Sequence, residues 1–312
     1  GKHAPGEYAR SKGFSKYFDD ASEQNKFIPG TIKASLKEGE EFNIIFSTQR
    51  MEEDMIFGAI SSRLRVSKDY NDLIGIICDS YGYGDVFDRN FMKDVIDSLF
   101  SYANLQKKKI YAGFPYFNQF WIRHALFILP SFININQPNF VRDVIKTIVA
   151  LSSDKGVPNI AGSSLFPMDT MPTLIIDVID YYLKTGDNQT LLSLDPWLNK
   201  FVYIMKNRLE GNFIHDKGRE TWMDSMNREY SIEIQALWLR AMQDLIRIER
   251  TYRKEDTRIP DIIDKLRNGL GQFKRRSYLS DQLNRDINSA NQLFVPFLLD
   301  SDEELNNIVI DN

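Results

Sequence analysis

The chain contains 312 residues, of which 43% are hydrophobic and 26% are charged, and these proportions are ordinary for a globular protein. Its formal net charge of −4 provides no overall basic field, which excludes nucleic acid and anionic membrane surfaces as expected partners. A single cysteine, Cys78, excludes an internal disulfide framework and favours a reducing, cytoplasmic setting, and no apolar run approaches the roughly 20 residues of a membrane helix.

The sequence pattern of the first 50 residues predicts that they form the last part of a β-rich N-terminal element. Pro29-Gly30 is a turn signal, and the residues at 41–46 suit a strand better than a helix. After residue 50 the apolar residues follow helical spacing instead. We therefore expect two parts, which are the β-rich element at 1–50 and a helical domain at 51–312.

The helical domain is predicted to contain helices joined by loops of very different length. Its apolar faces are wide enough to be buried against neighbouring helices. Two long loops, 154–167 and 211–230, are richer in Gly, Asn, Asp and Ser than the helices, and irregular loops on a rigid scaffold are where we expect a functional site. The predicted helices cover about residues 90–106, 117–134, 138–153, 171–185, 190–208, 231–252, 258–273 and 290–300.

The most informative loop segment is 218–226, because it places Trp222 close to Asp224. An indole ring offers a flat apolar surface on which a sugar can stack, and it can raise the pKa of a nearby carboxyl by desolvation. Asp224 is therefore a candidate general acid for a glycosidic bond. The alternative, a buried tryptophan beside a turn-forming aspartate, stays open at this point.

The next predicted helix begins near Ser231 and carries Glu233 in its first turn. A glutamate at this position is favoured by the helix dipole without any ligand. Glu233 also shares a helix face with Leu237 and Ala241, which would direct it inward. A ligand-binding role and a capping role are therefore equally open for Glu233.

An aromatic cluster at 114–124 includes Trp121, Arg123 and His124. Aromatic platforms with polar groups between them suit carbohydrate, whereas core packing is the simpler explanation. His124 is expected to be a packed, hydrogen-bonded residue, because the three histidines show no metal-binding spacing. Asp169 precedes another helix, where capping and hydroxyl binding explain it equally well.

Taken in order, several segments resemble the glucosidase domain of glycogen-debranching enzymes, an amylo-α-1,6-glucosidase. The most specific are Thr-Trp-Met-Asp at 221–224 and Ile-Glu-Ile-Gln-Ala-Leu-Trp at 232–238, which match the family's blocks almost letter for letter. Similar segments also occur at 112–117, 120–124, 156–159, 181–187 and 291–293. The resemblance spans residues 8–300.

The resemblance implies a mainly α fold, an (α/α)6 toroid-type glycosidase domain that follows the β-rich element. It implies inverting hydrolysis of single α-1,6-linked glucose residues on glycogen, limit dextrin or a branched maltooligosaccharide, with Asp224 as the general acid. It implies no cofactor, and nothing indicates an oligomeric state. The substrate-binding residues that the matching motifs imply are Trp121, Arg123, Asp169, Trp222, Glu233 and Trp238.

Two departures from the family pattern bear on activity. His124 stands where the family has an aspartate, and Ile122 where it has a glycine, which alters the innermost part of the sugar pocket. The family's base lies beyond the Asn-Gln block, and the chain reaches Asn312 without it, so no base is identified and we expect an incomplete toroid. The competing hypotheses are a non-catalytic homologue that binds α-glucan or serves as an assembly module, and a helical interaction module without a sugar site.

Overall fold

The computed structural model describes residues 7–11, 24–28, 35–38, 71–72, 74–79, 82, 86–113, 117, 119–218, 220–252, 256–299, 307 and 309. The chain divides into two compact units, Gly1–Gly75 and Ile76–Asn312, and each is described by itself. Within these described ranges, no helix is both long and apolar enough to cross a membrane.

In the first unit, two strands form an antiparallel hairpin. Strand β1 is Glu7–Ser11 and strand β2 is Gln24–Ile28, paired so that Glu7 lies opposite Ile28. The strand predicted at 41–46 and the domain boundary predicted at residue 50 lie outside the described residues, so both remain predictions.

The second unit consists mainly of helices, and the helices predicted from the apolar spacing are confirmed, with ends that differ by a few residues. Within the described part of residues 86–299, the α-helices are α1 Val86–Tyr102, α2 Ile122–Asn134, α3 Pro138–Leu151, α4 Thr170–Thr185, α5 Asn188–Arg208, α6 Ile232–Tyr252, α7 Arg258–Gly271 and α8 Phe294–Leu298. A 3-10 helix, Ala290–Leu293, leads directly into α8.

Two short hairpins, which the hydrophobic pattern does not predict, follow α1 and α5. Strand β3 (Ala103–Asn104) pairs with β4 (Lys109–Ile110), and β5 (Leu209–Glu210) pairs with β6 (Phe213–Ile214). The first hairpin ends α1 at Tyr102 instead of near residue 106, because strand pairing replaces the helical hydrogen bonds there.

Helix α2 begins at Ile122, later than the predicted start at 117, because Trp121 is still extended. The φ and ψ angles of Trp121 are −81° and 101°, and it forms a β-bridge with Ile160. The Ile122 N–H donates to the carbonyl of Asn159 at 2.8 Å. The start of α2 is therefore held against the long loop at 154–167.

The helices of the second unit form two layers. In the inner layer, α4 packs against both α2 and α6. In the outer layer, α3 packs against α2 and α4, α5 packs against α4 and α7, and α7 packs against α6. The chain thus alternates between an inner and an outer helix from α2 to α7.

Burial distinguishes the two layers. Every residue at 167–179, which covers the first part of α4, is buried. The outer helix α3 buries one face instead, with Val141, Val144, Ile145 and Ile148 at helical spacing. The inner helix α4 is therefore buried on all sides over its first turns, whereas the outer helix α3 is amphipathic.

The segment 181–187 is the turn between inner helix α4 and outer helix α5. Gly186 ends α4 with a left-handed φ of 66°, and Asp187 caps α5 by accepting a hydrogen bond from the Thr190 N–H at 3.0 Å. The Tyr181 hydroxyl donates to the other carboxyl oxygen of Asp187 at 2.7 Å. This segment therefore has a structural role in joining the layers.

The N-terminal ends of the inner helices are connected through their loops. The Met168 N–H, just before α4, donates to the carbonyl of Glu220 at 2.7 Å. Trp238 of α6 donates its indole N–H to the carbonyl of Met168 at 2.9 Å. The long loops 154–167 and 211–230 therefore meet where α2, α4 and α6 begin.

Candidate active site

A buried arginine connects two of the acids predicted to form the site. Arg123, in the first turn of α2, has its Nε 2.8 Å from Oδ2 of Asp169 and its Nη1 3.7 Å from Oδ2 of Asp224. Asp169 immediately precedes α4, and Asp224 lies in the loop before α6. The beginnings of the three inner helices thus bring these predicted residues together.

Asp169 occupies the N-cap position of α4, but its side chain makes no capping hydrogen bond. Among the described residues, its two carboxyl oxygens and the Nε and Nη2 of Arg123 are buried without a hydrogen-bond partner, since the close ion pair is not aligned as a hydrogen bond. Burial raises the pKa of Asp169 to about 6, against the opposing effect of Arg123. Capping therefore does not account for this side chain, whereas ligand hydroxyls could satisfy these atoms.

Asp224 and Trp222 are accessible on their loop. The Asp224 side chain is 54% exposed and Trp222 is 44% exposed. The Trp222 ring lies 6.4 Å from the ring of Phe294, centroid to centroid, at a tilt of 41°. Trp222 is therefore not a core tryptophan, and the loop presents an aromatic face close in sequence to a carboxyl that solvent can reach.

Trp121 is the N-cap residue of α2 and His124 lies in its first turn, next to Arg123. The Trp121 ring meets the rings of His124 and Phe117 edge to face, at centroid distances of 5.5 Å and 5.7 Å. His124 is exposed, so the prediction of a packed residue is wrong. Desolvation and the neighbouring Arg123 lower the pKa of its ring, against the opposing effect of Asp224. Phe120 of the same cluster is buried, and the members at 114–116 and 118 lie outside the described residues.

Glu233 and Trp238 lie beneath the site and not on its surface. Glu233 is completely buried, and both of its carboxyl oxygens accept hydrogen bonds from Arg228. Trp238 is also completely buried, and its only polar atom donates to the carbonyl of Met168. Both side chains therefore support the site from within the core, with no surface open to a sugar.

The structure adds residues that the sequence did not single out. They are Asn159, Arg228, Asp281 and Asn291, and each is only 2% or 3% exposed. Asn159 and Asn291 belong to segments that resemble the family's blocks, and this is the signal that could have identified them. Arg228 and Asp281 carry no such signal, because their role depends on a contact between distant parts of the chain.

Two cavities of about 520 Å³ lie away from these residues. One includes Arg258 and Lys265 of α7, and the other is an apolar groove that includes Phe91 and Val95 of α1. Within the part of the chain that the structure describes, no group of three or more His, Cys, Asp or Glu side chains is arranged to hold a metal ion. The candidate site is instead formed by loops at the ends of the inner helices.

Known proteins resemble this chain in sequence pattern and in fold. A family model described as amylo-alpha-1,6-glucosidase matches residues 93–300, a span that contains all of the candidate site. No curated protein sequence matches significantly. Among solved structures, a rhamnosidase from Klebsiella oxytoca with rhamnose bound is similar, with a TM-score of 0.51 and 14% sequence identity, over 62% of this chain.

The chain spans 42% of that rhamnosidase chain. At 14% identity the likeness concerns the fold alone. It confirms the predicted fold class, which is mainly α and of the helical toroid type.

Proposed function

The chain belongs to the amylo-α-1,6-glucosidase family, and from this premise we propose that it removes single α-1,6-linked glucose residues at the branch points of glycogen or limit dextrin. The family and the structural likeness support a glycoside hydrolase type of domain. The linkage, the α-glucan substrate and the inverting mechanism are our proposal. The observation that carries it is the accessible Asp224 beside the buried pair of Arg123 and Asp169.

The proposed sugar pocket combines aromatic faces with buried polar atoms. Trp222 and the partly buried Trp121 offer rings on which the apolar face of a pyranose can lie. Arg123, Asp169 and Asn159 contribute buried atoms that lack hydrogen bonds within the described part of the protein. Glucose hydroxyls that pair with these atoms would remove a desolvation cost, which supports both the affinity and the orientation of the sugar.

Asp224 is the proposed general acid. Its carboxyl donates a proton to the glycosidic oxygen as the bond to the anomeric carbon breaks, so that the leaving sugar departs as a neutral hydroxyl. In an inverting reaction a second carboxyl, about 6.5–9.5 Å away, activates water on the opposite face of the sugar. Asp169 and Glu233 are buried and paired with arginines, so we assign neither as this base. The proposal therefore assigns the acid alone.

The test is glucose release from a maltooligosaccharide that bears one α-1,6-linked glucose, measured with the purified chain. Asp224→Asn should lower the rate by about 10²–10⁴-fold, the usual contribution of a general acid. Asparagine has nearly the same shape and the side chain is 54% exposed, so the thermal unfolding temperature should not change. Glu229→Gln, which alters another exposed carboxyl of the same loop, is the control and should keep the wild-type rate. Equal rates for Asp224→Asn and the wild type would refute the assignment.

A second candidate function is binding of α-glucan without catalysis. It is favoured by His124, which stands where the family has an aspartate. A folded chain that releases no glucose, but whose tryptophan fluorescence is quenched by branched maltooligosaccharides, would support this candidate.

Trp222→Ala should weaken such binding by about 2–10-fold, the value of one aromatic contact. Trp197→Phe changes a tryptophan on the outer helix α5, which takes no part in the site, and should leave the affinity unchanged. If the wild type neither releases glucose nor shows quenching, the remaining hypothesis is a helical module without a sugar site.

A further inference from the structure

Arg228 is a buried arginine that joins three separate segments of the chain. Its side chain is 1% exposed. Nη2 donates to Oγ1 of Thr221 at 2.9 Å, and Nη1 donates to Oδ1 of Asp281 at 2.9 Å. Both nitrogens also donate to the carboxylate of Glu233. One guanidinium therefore links a loop, the first turn of α6 and the segment that follows α7.

Thr221 and Arg228 are the two ends of the loop that carries the proposed general acid, here named the acid loop (residues 221–228). Thr221 is 3% exposed and Arg228 is 2% exposed, whereas most residues between them are exposed. The hydrogen bond between the two ends closes the acid loop at its base. The position of Asp224 therefore depends on how these two ends are held.

We infer that Arg228 is a positioning residue, which places Asp224 against a bound sugar by fixing both ends of the acid loop. The inference rests on the proposed function, because it presupposes that Asp224 is the general acid. Arg228 is too deeply buried to meet a substrate itself. Its effect on the reaction would therefore pass entirely through the acid loop.

Asp281 anchors Arg228 from a distant segment. Its Oδ1 accepts hydrogen bonds from Oγ of Ser289 and Nδ2 of Asn291, each at 2.6 Å. Burial opposes the ionisation of Asp281, but these two hydrogen bonds and the charge of Arg228 outweigh burial and lower its pKa. Nδ2 of Asn291 also lies 3.0 Å from Sδ of Met223, inside the acid loop. The segment that holds Arg228 therefore also contacts the loop directly.

Glu233 provides the second anchor, on the rigid helix α6. Burial raises the pKa of this carboxyl to about 7, although Arg228 acts in the opposite direction. A buried guanidinium is costly unless its charge is paired, and Glu233 and Asp281 supply that pairing. We therefore assign Glu233, predicted to bind substrate, the role of partner to Arg228.

The geometry calls for arginine at position 228. A guanidinium is a planar fork whose nitrogens meet several acceptors at fixed angles, whereas a lysine ammonium is a single point of charge. Arg228→Lys should therefore keep a positive charge near Glu233 and Asp281 but lose part of the hold on Thr221. The expected result is a folded chain with a loosened acid loop.

The experiment compares a substrate whose leaving group needs a proton with one whose leaving group does not. With a branched maltooligosaccharide, the leaving group is a sugar alkoxide that must be protonated to a hydroxyl. With α-D-glucosyl fluoride, the leaving group is fluoride ion, which departs without protonation. Arg228→Lys should lower kcat for the branched substrate by about 10–100-fold, as for a misplaced catalytic group. Its rate with glucosyl fluoride should change by less than about threefold, because no general acid is needed there.

Arg240→Lys is the matched control. Arg240 lies on α6, about two turns beyond Glu233, where its Nε donates to Asp244 at 2.7 Å and its Nη1 to the carbonyl of Leu298 at 2.9 Å. This substitution also replaces a hydrogen-bonded guanidinium by an ammonium, but at a position that does not contact the acid loop. The kcat values for both substrates should remain those of the wild type.

Equal losses with both substrates in Arg228→Lys would mean a general structural defect and would overturn the inference, as would wild-type rates with both. Failure of the proposed function has a different signature, in which Asp224→Asn releases glucose from the branched substrate as fast as the wild type.

If Arg228→Lys does not fold, Thr221→Val decides the question. It removes the hydroxyl that accepts from Arg228 and, at 3.2 Å, from the Met223 N–H, while the carboxylate partners of Arg228 remain. Thr221→Val should lower kcat for the branched substrate by about 3–10-fold, the value of one or two hydrogen bonds, and should leave the rate with glucosyl fluoride nearly unchanged. If the ratio of the two rates in Thr221→Val equals that of the wild type, the inference is overturned.

Discussion

At the residue scale, the pair of Arg123 and Asp169 sets the character of the site. Both side chains are almost fully buried, and the carboxyl oxygens of Asp169 lack hydrogen bonds among the described residues. A buried ion pair that is not fully hydrogen-bonded gives the fold little net stability. This arrangement is better explained by binding than by folding, since sugar hydroxyls are the missing kind of partner.

The pH dependence of stability should report Asp169. Its pKa is about 6 in the folded chain against an ordinary value of 3.8, so the folded chain binds this proton more tightly than the unfolded chain does. The resulting contribution to the free energy of unfolding is fully present below pH 3.8 and is lost as the pH rises through about 6. It amounts to something on the order of 3 kcal/mol.

Asp169→Asn removes this contribution. In urea unfolding between about pH 4 and 7, the stability of the wild type should therefore fall relative to that of the variant. Asp261→Asn, which alters an exposed carboxyl paired with Lys265, should follow the wild-type curve. Parallel curves for Asp169→Asn and the wild type would show that the proton on Asp169 does not contribute.

At the element scale, the hairpin β5–β6 holds the beginning of α6 in place. Gln235 of α6 uses its side-chain amide as a strand would, accepting from the Ile214 N–H at 2.8 Å and donating to the Ile214 carbonyl at 2.9 Å. Asp216, just after the hairpin, accepts from the backbone N–H and the hydroxyl of Ser231, each at 2.7 Å. The hairpin therefore fixes the helix from which the acid loop is anchored.

The packing of α7 on this hairpin predicts opposite effects for two glycines of one helix. A β-carbon at Gly269 would lie 2.3 Å from the backbone carbonyl oxygen of Asn212, whereas a β-carbon at Gly271 would meet no atom within 4 Å. Gly269→Ala should therefore destabilise the chain by about 1–3 kcal/mol through overpacking.

Gly271→Ala should be neutral or stabilise by up to about 1 kcal/mol, since alanine costs less backbone entropy in a helix. Thermal unfolding of both variants checks the pair. Similar midpoints for the two would show that α7 and the hairpin are not in close contact.

At the scale of the whole second unit, the layered arrangement distributes stability unevenly. The inner helices α4 and α6 are buried on all sides over their first turns, at 167–179 and 231–239. The outer helices each keep one face in solvent, and α1 exposes Phe91 and Val95. The loops of the site are therefore mounted on the best-packed part of the unit.

Hydrogen exchange should reveal this distribution. The amides at 170–179 and 232–239 should exchange most slowly, because they open only when the layers separate. The amides of α1 should exchange faster. Mass spectrometry of the native chain measures both, and equal protection of α1 and α4 would contradict the layered description.

The sequence predicts those parts of the fold and the site that leave local signals. Apolar periodicity predicts the helices, and the Trp-Met-Asp segment predicts the loop of Asp224. Contacts between distant segments leave no such signal, so the pairing of Arg123 with Asp169 could not be predicted. For Glu233 the local position allowed either capping or an inward role, and only its partner Arg228 resolves what the side chain does.

The contact between Arg228 and Asp281 spans 53 positions in the chain, and this spacing has a consequence for synthesis on the ribosome. Position 228 emerges from the exit tunnel well before position 281, since the chain grows by about 5–20 residues per second from its N-terminal end. Before position 281 emerges, Glu233 can pair with Arg228 but Asp281 cannot. In a nascent chain, Asp224 therefore leaves the ribosome before the acid loop is fully anchored. The site is complete only after Asp281 has emerged and paired with Arg228.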